Sequence, residues 1–139
     1  MIEQESTIFI VDDDASARRG LTRLIRAAGF RAESFGSARE FLASQGRDGP
    51  GCLVLDVKMP EMDGIEVLRR IKKAYPHVEV IILTGHGSDE DCQTCMELGA
   101  FAYLQKPVDI EALSETLRKA NEKARGSAET AGSPEDDVT

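Results

Sequence analysis

The sequence predicts an α/β fold in which a doubly wound, five-stranded parallel sheet is covered by helices on both faces. Five short strand patterns alternate with five stretches of helical periodicity, and such alternation is typical of parallel sheets built from strand–helix–strand units. Four of these patterns, all but residues 31–35, are largely apolar throughout, as expected of strands buried on both faces. Polar residues directly follow four of them, at the sheet edge where open α/β proteins bind ligands.

The first two strand–helix units are predicted within residues 7–45. A strand at residues 7–11 is rich in β-branched and aromatic side chains, and it is followed by three successive aspartates. Apolar residues then recur at helical spacing as far as Gly29, which is a typical helix C-cap. A short second strand is expected at residues 31–35. A Ser-Ala-Arg-Glu capping box at residues 37–40 opens the second helix, which runs through about Gln45.

The remaining three units repeat this plan. Their strands are short apolar runs, each followed by a helical pattern: residues 53–55, 78–83 and 101–104. Polar side chains stand just beyond these strands: Asp56, Thr84 and Lys106. Capping residues open the last two helices, at Ser88 and Asp109. Right-handed crossovers and the alternating pattern favour the flavodoxin-like strand order 2-1-3-4-5, although periodicity alone does not prove that order.

Length and composition indicate one domain with short flanking segments. We expect an N-terminal extension at residues 1–6, the domain at residues 7–125, and a disordered acidic tail at residues 126–139, where Gly, Ser, Ala, Thr, Pro and acids dominate. The net charge of −8 argues against a nucleic-acid surface on this chain. No apolar run approaches the roughly 20 residues that span a bilayer, and no signal peptide is evident. The chain is therefore expected to be cytoplasmic.

The three cysteines are an odd number in a chain without a secretory signal, which favours free thiols over a disulfide framework. Cys92 and Cys95 form a C-x-x-C pattern on a predicted helix. No second pair or histidine is spaced to complete a zinc site. We therefore predict two reduced thiols, one of them partly buried, and a redox switch is the minor alternative.

Acidic side chains are expected to crowd together at one edge of the sheet. In the order 2-1-3-4-5 the first and third strands are neighbours, so Asp12, Asp13 and Asp56 would lie a few ångströms apart. Two like charges about 5 Å apart repel by about 3 kcal/mol at an effective dielectric of about 20, so a counter-cation is required. The available ligands are hard oxygens, which suit Mg²⁺. Taken singly, Asp12 or Asp13 could instead be only a helix N-cap.

Two further strand ends supply an ammonium and a hydroxyl. The Lys106 ammonium could pair with a carboxylate or a phosphoryl oxygen, and Thr84 could donate a hydrogen bond to the same oxygen. A carboxylate beside Mg²⁺ and an ammonium is arranged to attack phosphorus and form an acyl phosphate, so Asp56 is predicted to accept phosphate. A new charge of about −1.5 to −2 would draw Thr84 and its loop toward it. The face formed by the fourth strand, fourth helix and fifth strand is therefore the predicted output surface.

Four short motifs stand at the predicted strand ends in a specific order and spacing. They are Val11-Asp12-Asp13, Leu55-Asp56-Val57-Lys58-Met59-Pro60 with Asp63-Gly64, Leu83-Thr84-Gly85, and Lys106-Pro107. Over residues 7–122 the chain thereby resembles the receiver domain of two-component response regulators. The resemblance implies a signalling switch that takes phosphate from a sensor histidine kinase or a phosphotransfer protein and acts on a downstream protein target. Such a domain assists its own phosphorylation and dephosphorylation and is not a metabolic enzyme.

The resemblance also implies a role for each site residue. Asp56 would be the phosphorylated aspartate. The direct Mg²⁺ ligands would be Asp13, Asp56 and the backbone carbonyl of Lys58, with Asp12 acting mostly through water. Thr84 and Tyr103 would form the switch pair, and the peptide bond between Lys106 and Pro107 would be cis.

Two alternative functions remain open at this point. The chain could be the receiver portion of a DNA-binding transcriptional regulator, and a reading frame that continues past Thr139 would favour that alternative. The second alternative belongs to a different functional class: it is a flavodoxin-like module that binds a nucleotide or a flavin. Such a module needs glycines or hydroxyls that cradle phosphate after the first strand, whereas this chain has three aspartates there, which repel phosphate.

Overall fold

The structure, a computed structural model, describes residues 7–45, 51–59, 62–85 and 87–131. Five strands form one parallel sheet: β1 (Thr7–Val11), β2 (Arg31–Phe35), β3 (Cys52–Leu55), β4 (Glu79–Thr84) and β5 (Ala102–Gln105). Five helices connect or follow them: α1 (Ala15–Ala27), α2 (Ala38–Ser44), α3 (Gly64–Ala74), α4 (Asp89–Glu97) and α5 (Ile110–Ala131). The strand order is β2-β1-β3-β4-β5, which confirms the predicted α/β fold and its order 2-1-3-4-5.

The central strand β3 shows why helices cover both faces of the sheet. All four of its residues are buried, and successive side chains enter opposite apolar clusters. One cluster is completed by side chains of α1 and α5: Leu21, Ile25, Leu113, Leu117 and Ala120. The other is completed by side chains of α2, α3 and α4: Phe41, Val67, Leu68, Ile71 and Cys95. Burial on both faces explains why this strand reads as a continuous apolar run.

The helices begin and end at capping residues, but the N-cap of α1 is not one of the two aspartates considered from the sequence. Asp14 is the N-cap of α1, and its carboxylate accepts hydrogen bonds from the backbone N–H groups of Ser16, at 2.9 Å, and Ala17, at 3.1 Å. The alternative reading of Asp12 or Asp13 as the N-cap is therefore wrong. Gly29 follows the end of α1 with φ = 101°, a left-handed conformation that favours glycine. Ser37 and Ser88 cap α2 and α4 as predicted.

The last helix is longer than predicted. The predicted tail begins at residue 126, but α5 continues to Ala131. Residues 127–131 contain good helix formers and precede the next proline, and a single interior glycine at 126 costs only about 1 kcal/mol. The structure is therefore helical at residues 126–131, and the division of the chain into extension, domain and tail stays a prediction. The predicted N-terminal extension and residues 132–139 lie outside the described residues.

The connection between β3 and α3 contains a short element that the sequence pattern did not predict. This element is a short antiparallel ribbon in which Lys58 pairs with Asp63 and Met59 pairs with Met62. These backbone pairs begin two residues after Asp56. The ribbon therefore constrains the backbone next to that carboxylate, including the Lys58 residue whose carbonyl the resemblance assigns to a metal.

Gly64 brings the start of α3 against the segment that follows Asp56. A Cβ atom added at Gly64 would lie 2.2 Å from the Cα and 2.5 Å from the carbonyl oxygen of Val57. Real Cβ atoms do not approach backbone atoms this closely, so only glycine allows the contact. The Asp-Gly pair in the sequence motif thus has a packing reason, because α3 begins directly on the backbone next to Asp56.

Replacing Gly64 with alanine is expected to lower the free energy of unfolding by at least about 2 kcal/mol, because either α3 or the Val57 backbone must move. Gly20→Ala is the matched control, since Gly20 lies inside α1 with no atom within 4 Å of an added Cβ. That variant should gain about 0.5–1 kcal/mol from its higher helix propensity. Urea unfolding followed by circular dichroism measures both, and equal stability of the two variants would contradict the packing argument.

Candidate functional site

The two central strands deliver two carboxylates to the same edge of the sheet. Val11 of β1 lies opposite Leu55 of β3, and each strand is followed directly by an aspartate. The backbone N–H of Asp56 donates to the carbonyl of Val11 at 3.3 Å, and that of Asp12 donates to Phe35 at 3.2 Å. Strand-like pairing thus continues one residue past the strands, which fixes both acids on the sheet.

Lys106 lies between these two carboxylates. Its Nζ is 3.3 Å from Oδ2 of Asp12 and 3.4 Å from Oδ2 of Asp56. The Asp12 and Asp56 side chains are 4% and 13% exposed, whereas that of Lys106 is 30% exposed. The Lys106 N–H donates to the carbonyl of Thr84 at 2.9 Å, which holds the end of β5 against the end of β4. The peptide bond to Pro107 is cis, as the resemblance implied.

The charges of this trio determine how Lys106 titrates. Burial on its own would lower the pKa of the Lys106 ammonium, but the negative charges of Asp12 and Asp56, and hydrogen bonds to both, outweigh burial. The net pKa of Lys106 is therefore raised above its ordinary value. Asp12 makes further contacts: its Oδ1 accepts from the Asp14 N–H at 3.0 Å, and its carbonyl accepts from the Arg18 guanidinium at 2.6 Å.

Two of the three carboxylates that were predicted to lie close together share a cation. Asp12 and Asp56 both contact the Lys106 ammonium, and Asp13, the residue after Asp12, is exposed to solvent. Among the described residues, no group of three His, Cys, Asp or Glu side chains is placed to hold a metal ion. The oxygen donors at this edge nevertheless suit Mg²⁺, which commonly binds one or two carboxylates together with water and phosphate oxygens.

A second group of residues lies at the ends of β4 and β5. The side chain of Thr84 is fully buried, and Tyr103 lies opposite Ile82 in the neighbouring strand. The Tyr103 hydroxyl is buried and has no hydrogen-bond partner within the part of the chain that is described. Burial and then the nearby charge of Asp91 raise the pKa of Tyr103.

Gly87 is the contact that the sequence reading missed. A Cβ atom added there would lie 1.5 Å from the Tyr103 hydroxyl oxygen and 2.8 Å from Cγ2 of Thr84. The tyrosine therefore occupies space that any other residue at position 87 would need. The signal in the sequence was the second glycine of the Thr-Gly-His-Gly run; His86 itself lies outside the described residues.

The cysteines are free thiols, as predicted. Cys95 is fully buried and Cys92 is half-buried, both on α4. Burial, with smaller contributions from Asp91 and Cys92, raises the pKa of the Cys95 thiol to about 11. A buried, protonated thiol is a poor nucleophile, so Cys95 acts mainly as an apolar core residue.

Comparison with known proteins identifies the family to which this arrangement belongs. The sequence model of the response regulator receiver domain matches residues 8–118. The chain belongs to the response regulator receiver domain family.

Receiver domains also match in structure. The one from Clostridium thermocellum has a TM-score of 0.78 at 32% identity, covering 86% of this chain and 97% of that one. The FixJ-N structure has a TM-score of 0.77 at 33% identity, covering 86% and 95%.

The curated relatives of this receiver domain are longer proteins. The response regulator protein TmoT of Ectopseudomonas mendocina is 38% identical over 86% of this chain and 54% of its own length. The transcriptional regulatory protein FixJ of Bradyrhizobium diazoefficiens is 37% identical over 88% of this chain and 60% of its own length. The chain thus spans just over half the length of these two relatives. In the described ranges of this receiver domain, no helix is both long and apolar enough to cross a membrane.

The raised pKa of Lys106 predicts a specific pH dependence of stability for this receiver domain. Because the folded pKa lies above the unfolded value of about 10.4, the ammonium stabilises the fold fully below that pH and loses this effect as pH rises through the folded pKa. Lys106→Met should therefore be less stable than wild type at neutral pH, and the difference should shrink above about pH 10.4.

Urea unfolding between neutral pH and about pH 11 measures the difference. Lys119→Met is the control, because Lys119 is exposed and, among the described residues, its ion pair is with the exposed Glu115, at 3.7 Å. That variant should stay close to wild type throughout. A stability difference for Lys106→Met that does not change across this range would contradict the stated coupling between the ammonium and the two carboxylates.

Proposed function

We propose that this receiver domain is a phosphoacceptor switch that takes a phosphoryl group from a histidine kinase or a phosphotransfer protein onto Asp56. The observation that carries the proposal is the Lys106 ammonium held between Asp12 and Asp56 at the edge of the sheet, 3.3 and 3.4 Å from their Oδ2 atoms. Carboxylates and an ammonium at this position provide a nucleophile and a charge that can stabilise the transferring group. Both the donor and the receiver would be in the cytoplasm.

In the proposed reaction, an Asp56 carboxylate oxygen attacks the phosphorus of a phosphohistidine. The N–P bond breaks, an O–P bond forms, and the product is an acyl phosphate. Lys106 is partly exposed, so its ammonium can leave the carboxylate and pair with an oxygen of the transferred group. The Asp12 carboxylate stays next to it, fixed by the Asp14 N–H.

Receiver domains generally depend on Mg²⁺, and the oxygen donors of this edge fit that ion. We propose Asp13, Asp56 and the Lys58 carbonyl as its direct ligands, with Asp12 acting through water. Bound Mg²⁺ supplies positive charge that offsets the charge of the phosphoryl oxygens. The ribbon that begins at Lys58 supports this assignment, because its pairing constrains the backbone of a residue two places after Asp56.

The proposed switch pair is Thr84 with Tyr103. A phosphoryl group on Asp56 adds about −1.5 to −2 charge and three acceptor oxygens, and the Thr84 hydroxyl would donate to one of them. Tyr103 would follow, because its hydroxyl and Cγ2 of Thr84 lie around the same point, where a Cβ of residue 87 would be. The output surface would then be the face formed by β4, α4 and β5, where a downstream protein binds. Met96 of α4, 43% exposed, supports that surface.

A second candidate is the receiver portion of a longer DNA-binding regulator. It is favoured by the relatives themselves, since the chain covers 60% of the transcriptional regulatory protein FixJ and 25% of the DNA-binding transcriptional regulator NtrC of Proteus hauseri. The genomic sequence decides between the two candidates. An open reading frame that continues past Thr139 into a DNA-binding domain would support the second one.

The phosphoacceptor proposal predicts a covalent adduct. Incubation with acetyl phosphate and Mg²⁺ should add about 80 Da to the intact protein, and Asp56→Asn should abolish the increase. Asp89→Asn is the matched control, because Asp89 is an exposed acid in the first turn of α4. That variant should be modified like wild type, and omitting Mg²⁺ should suppress the adduct. An adduct that persists in Asp56→Asn would show that another residue accepts the phosphate.

The switch proposal predicts a steric effect at Gly87. Gly87→Ala should displace the Tyr103 ring toward solvent and return the pKa of its hydroxyl toward the ordinary value, because burial is the main cause of the raised pKa. Phenolate absorbance is titrated in a Tyr75→Phe background, so that only Tyr103 reports. Gly85→Ala is the control, since an added Cβ there meets no atom within 4 Å. The same pKa in both variants would refute the contact.

A further inference from the structure

Helix α1 has an unusual charge for this protein. It carries four arginines and no acidic residue, although the chain as a whole has a net charge of −8. Arg18 is accounted for by its hydrogen bond to the Asp12 carbonyl. The other three lie at spacings of four and seven residues, which places them on one face of the helix: Arg19, Arg23 and Arg26.

That face of α1 forms one wall of a surface cavity of about 370 Å³. The described residues that line the cavity are all cationic or hydroxyl-bearing: Arg19, Thr22, Arg23 and Arg26 of α1, with Ser34 of the edge strand β2. Ala32 of β2 packs into the core beneath α1, whereas Phe35 packs on the opposite face. Because strand side chains alternate, Ser34 faces α1 and the carboxylate of Glu33 points to the other side.

The cavity arginines differ from several exposed cations of α3 and α5. Those cations pair with a glutamate one turn away, as Arg69 does with Glu66 and Lys119 with Glu115. Within the described ranges, no ion pair joins a cavity arginine to a carboxylate. Arg26 donates instead to the Ala32 carbonyl at 2.8 Å, which holds one wall of the cavity in place. Like charges four residues apart on a helix are mildly destabilising, so an anion between them would relieve their repulsion.

We propose that this cavity is a binding site for a small phosphate-bearing anion, of which diphosphate is the simplest example. The planar guanidinium groups of Arg19 and Arg23 can each bind phosphate oxygens through two parallel hydrogen bonds. The hydroxyls of Thr22 and Ser34 add further polar contacts. Among the described lining residues there is no aromatic ring or long aliphatic side chain, so the ligand is recognised by its phosphates rather than by a base or an acyl chain.

This site is separate from the acidic edge of the sheet. It shares no lining residue with the Asp12, Asp56 and Lys106 trio, and it requires no Mg²⁺. The proposal therefore does not depend on phosphoryl transfer to Asp56. Binding can be measured with Mg²⁺ removed, when the carboxylates at the sheet edge would repel an added anion.

The test is a titration of the full chain with sodium diphosphate, and with inorganic phosphate in parallel, at low ionic strength with EDTA present. Calorimetry gives the stoichiometry, and amide NMR shifts give the location. We expect saturable one-to-one binding of diphosphate, stronger than that of phosphate, with the largest shifts in α1 and β2. The double variant Arg19→Gln/Arg23→Gln should weaken binding by about tenfold or more.

Two further variants separate a specific site from general charge. Arg69→Gln/Arg70→Gln removes the same charge from α3 and should leave the affinity unchanged. Arg23→Lys keeps the charge but loses the planar fork, and it should lower the affinity several-fold while preserving the fold. Non-saturable binding, equal losses in both double variants, or shifts centred on Asp12 and Asp56 would overturn the proposal. So would a poly-glutamate peptide that binds more tightly than diphosphate at the same arginines, since the groove would then recognise acidic protein.

Discussion

The arrangement of the carboxyl edge of the sheet depends on one ammonium group held between two carboxylates. Asp12 and Asp56 end neighbouring strands and are nearly buried, so their charges repel each other at short range. Lys106 offsets that repulsion from a third strand end, 94 and 50 residues away in the chain. Its backbone N–H bond to Thr84 fixes this position. In the proposed phosphoryl transfer, the same three side chains would meet the transferred group.

Two glycines let other segments approach this edge more closely than any side chain would permit. Gly64 brings α3 onto the backbone of Val57, immediately after Asp56, and Gly87 makes room for the Tyr103 hydroxyl beside Thr84. The first contact fixes the loop that carries the proposed acceptor. At the second, the Tyr103 hydroxyl and Cγ2 of Thr84 both lie within 3 Å of the point that a Cβ of residue 87 would occupy.

Charge is divided unevenly over the molecule. Acidic residues gather where the strands end, while the arginines of α1 line a cavity beside the edge strand β2. On α3 and α5 several cations pair instead with glutamates one turn away, as Arg69 does with Glu66 and Lys119 with Glu115. A protein of net charge −8 thus presents two local environments of opposite sign, one proposed to hold a metal cation and a phosphoryl group and the other proposed to bind an anion without a metal.

The sequence by itself determined the elements and their order, because strands, helices and caps depend on neighbouring residues and on burial patterns that repeat along the chain. It also predicted that four side chains lie at one sheet edge, since parallel strands end on the same side: Asp12, Asp56, Thr84 and Lys106. Only the tertiary structure decided that Tyr103 fits against Gly87 and that Ser34 faces the arginines of α1. These contacts depend on distances between atoms that only the packed fold defines, and periodicity carries no information about such distances.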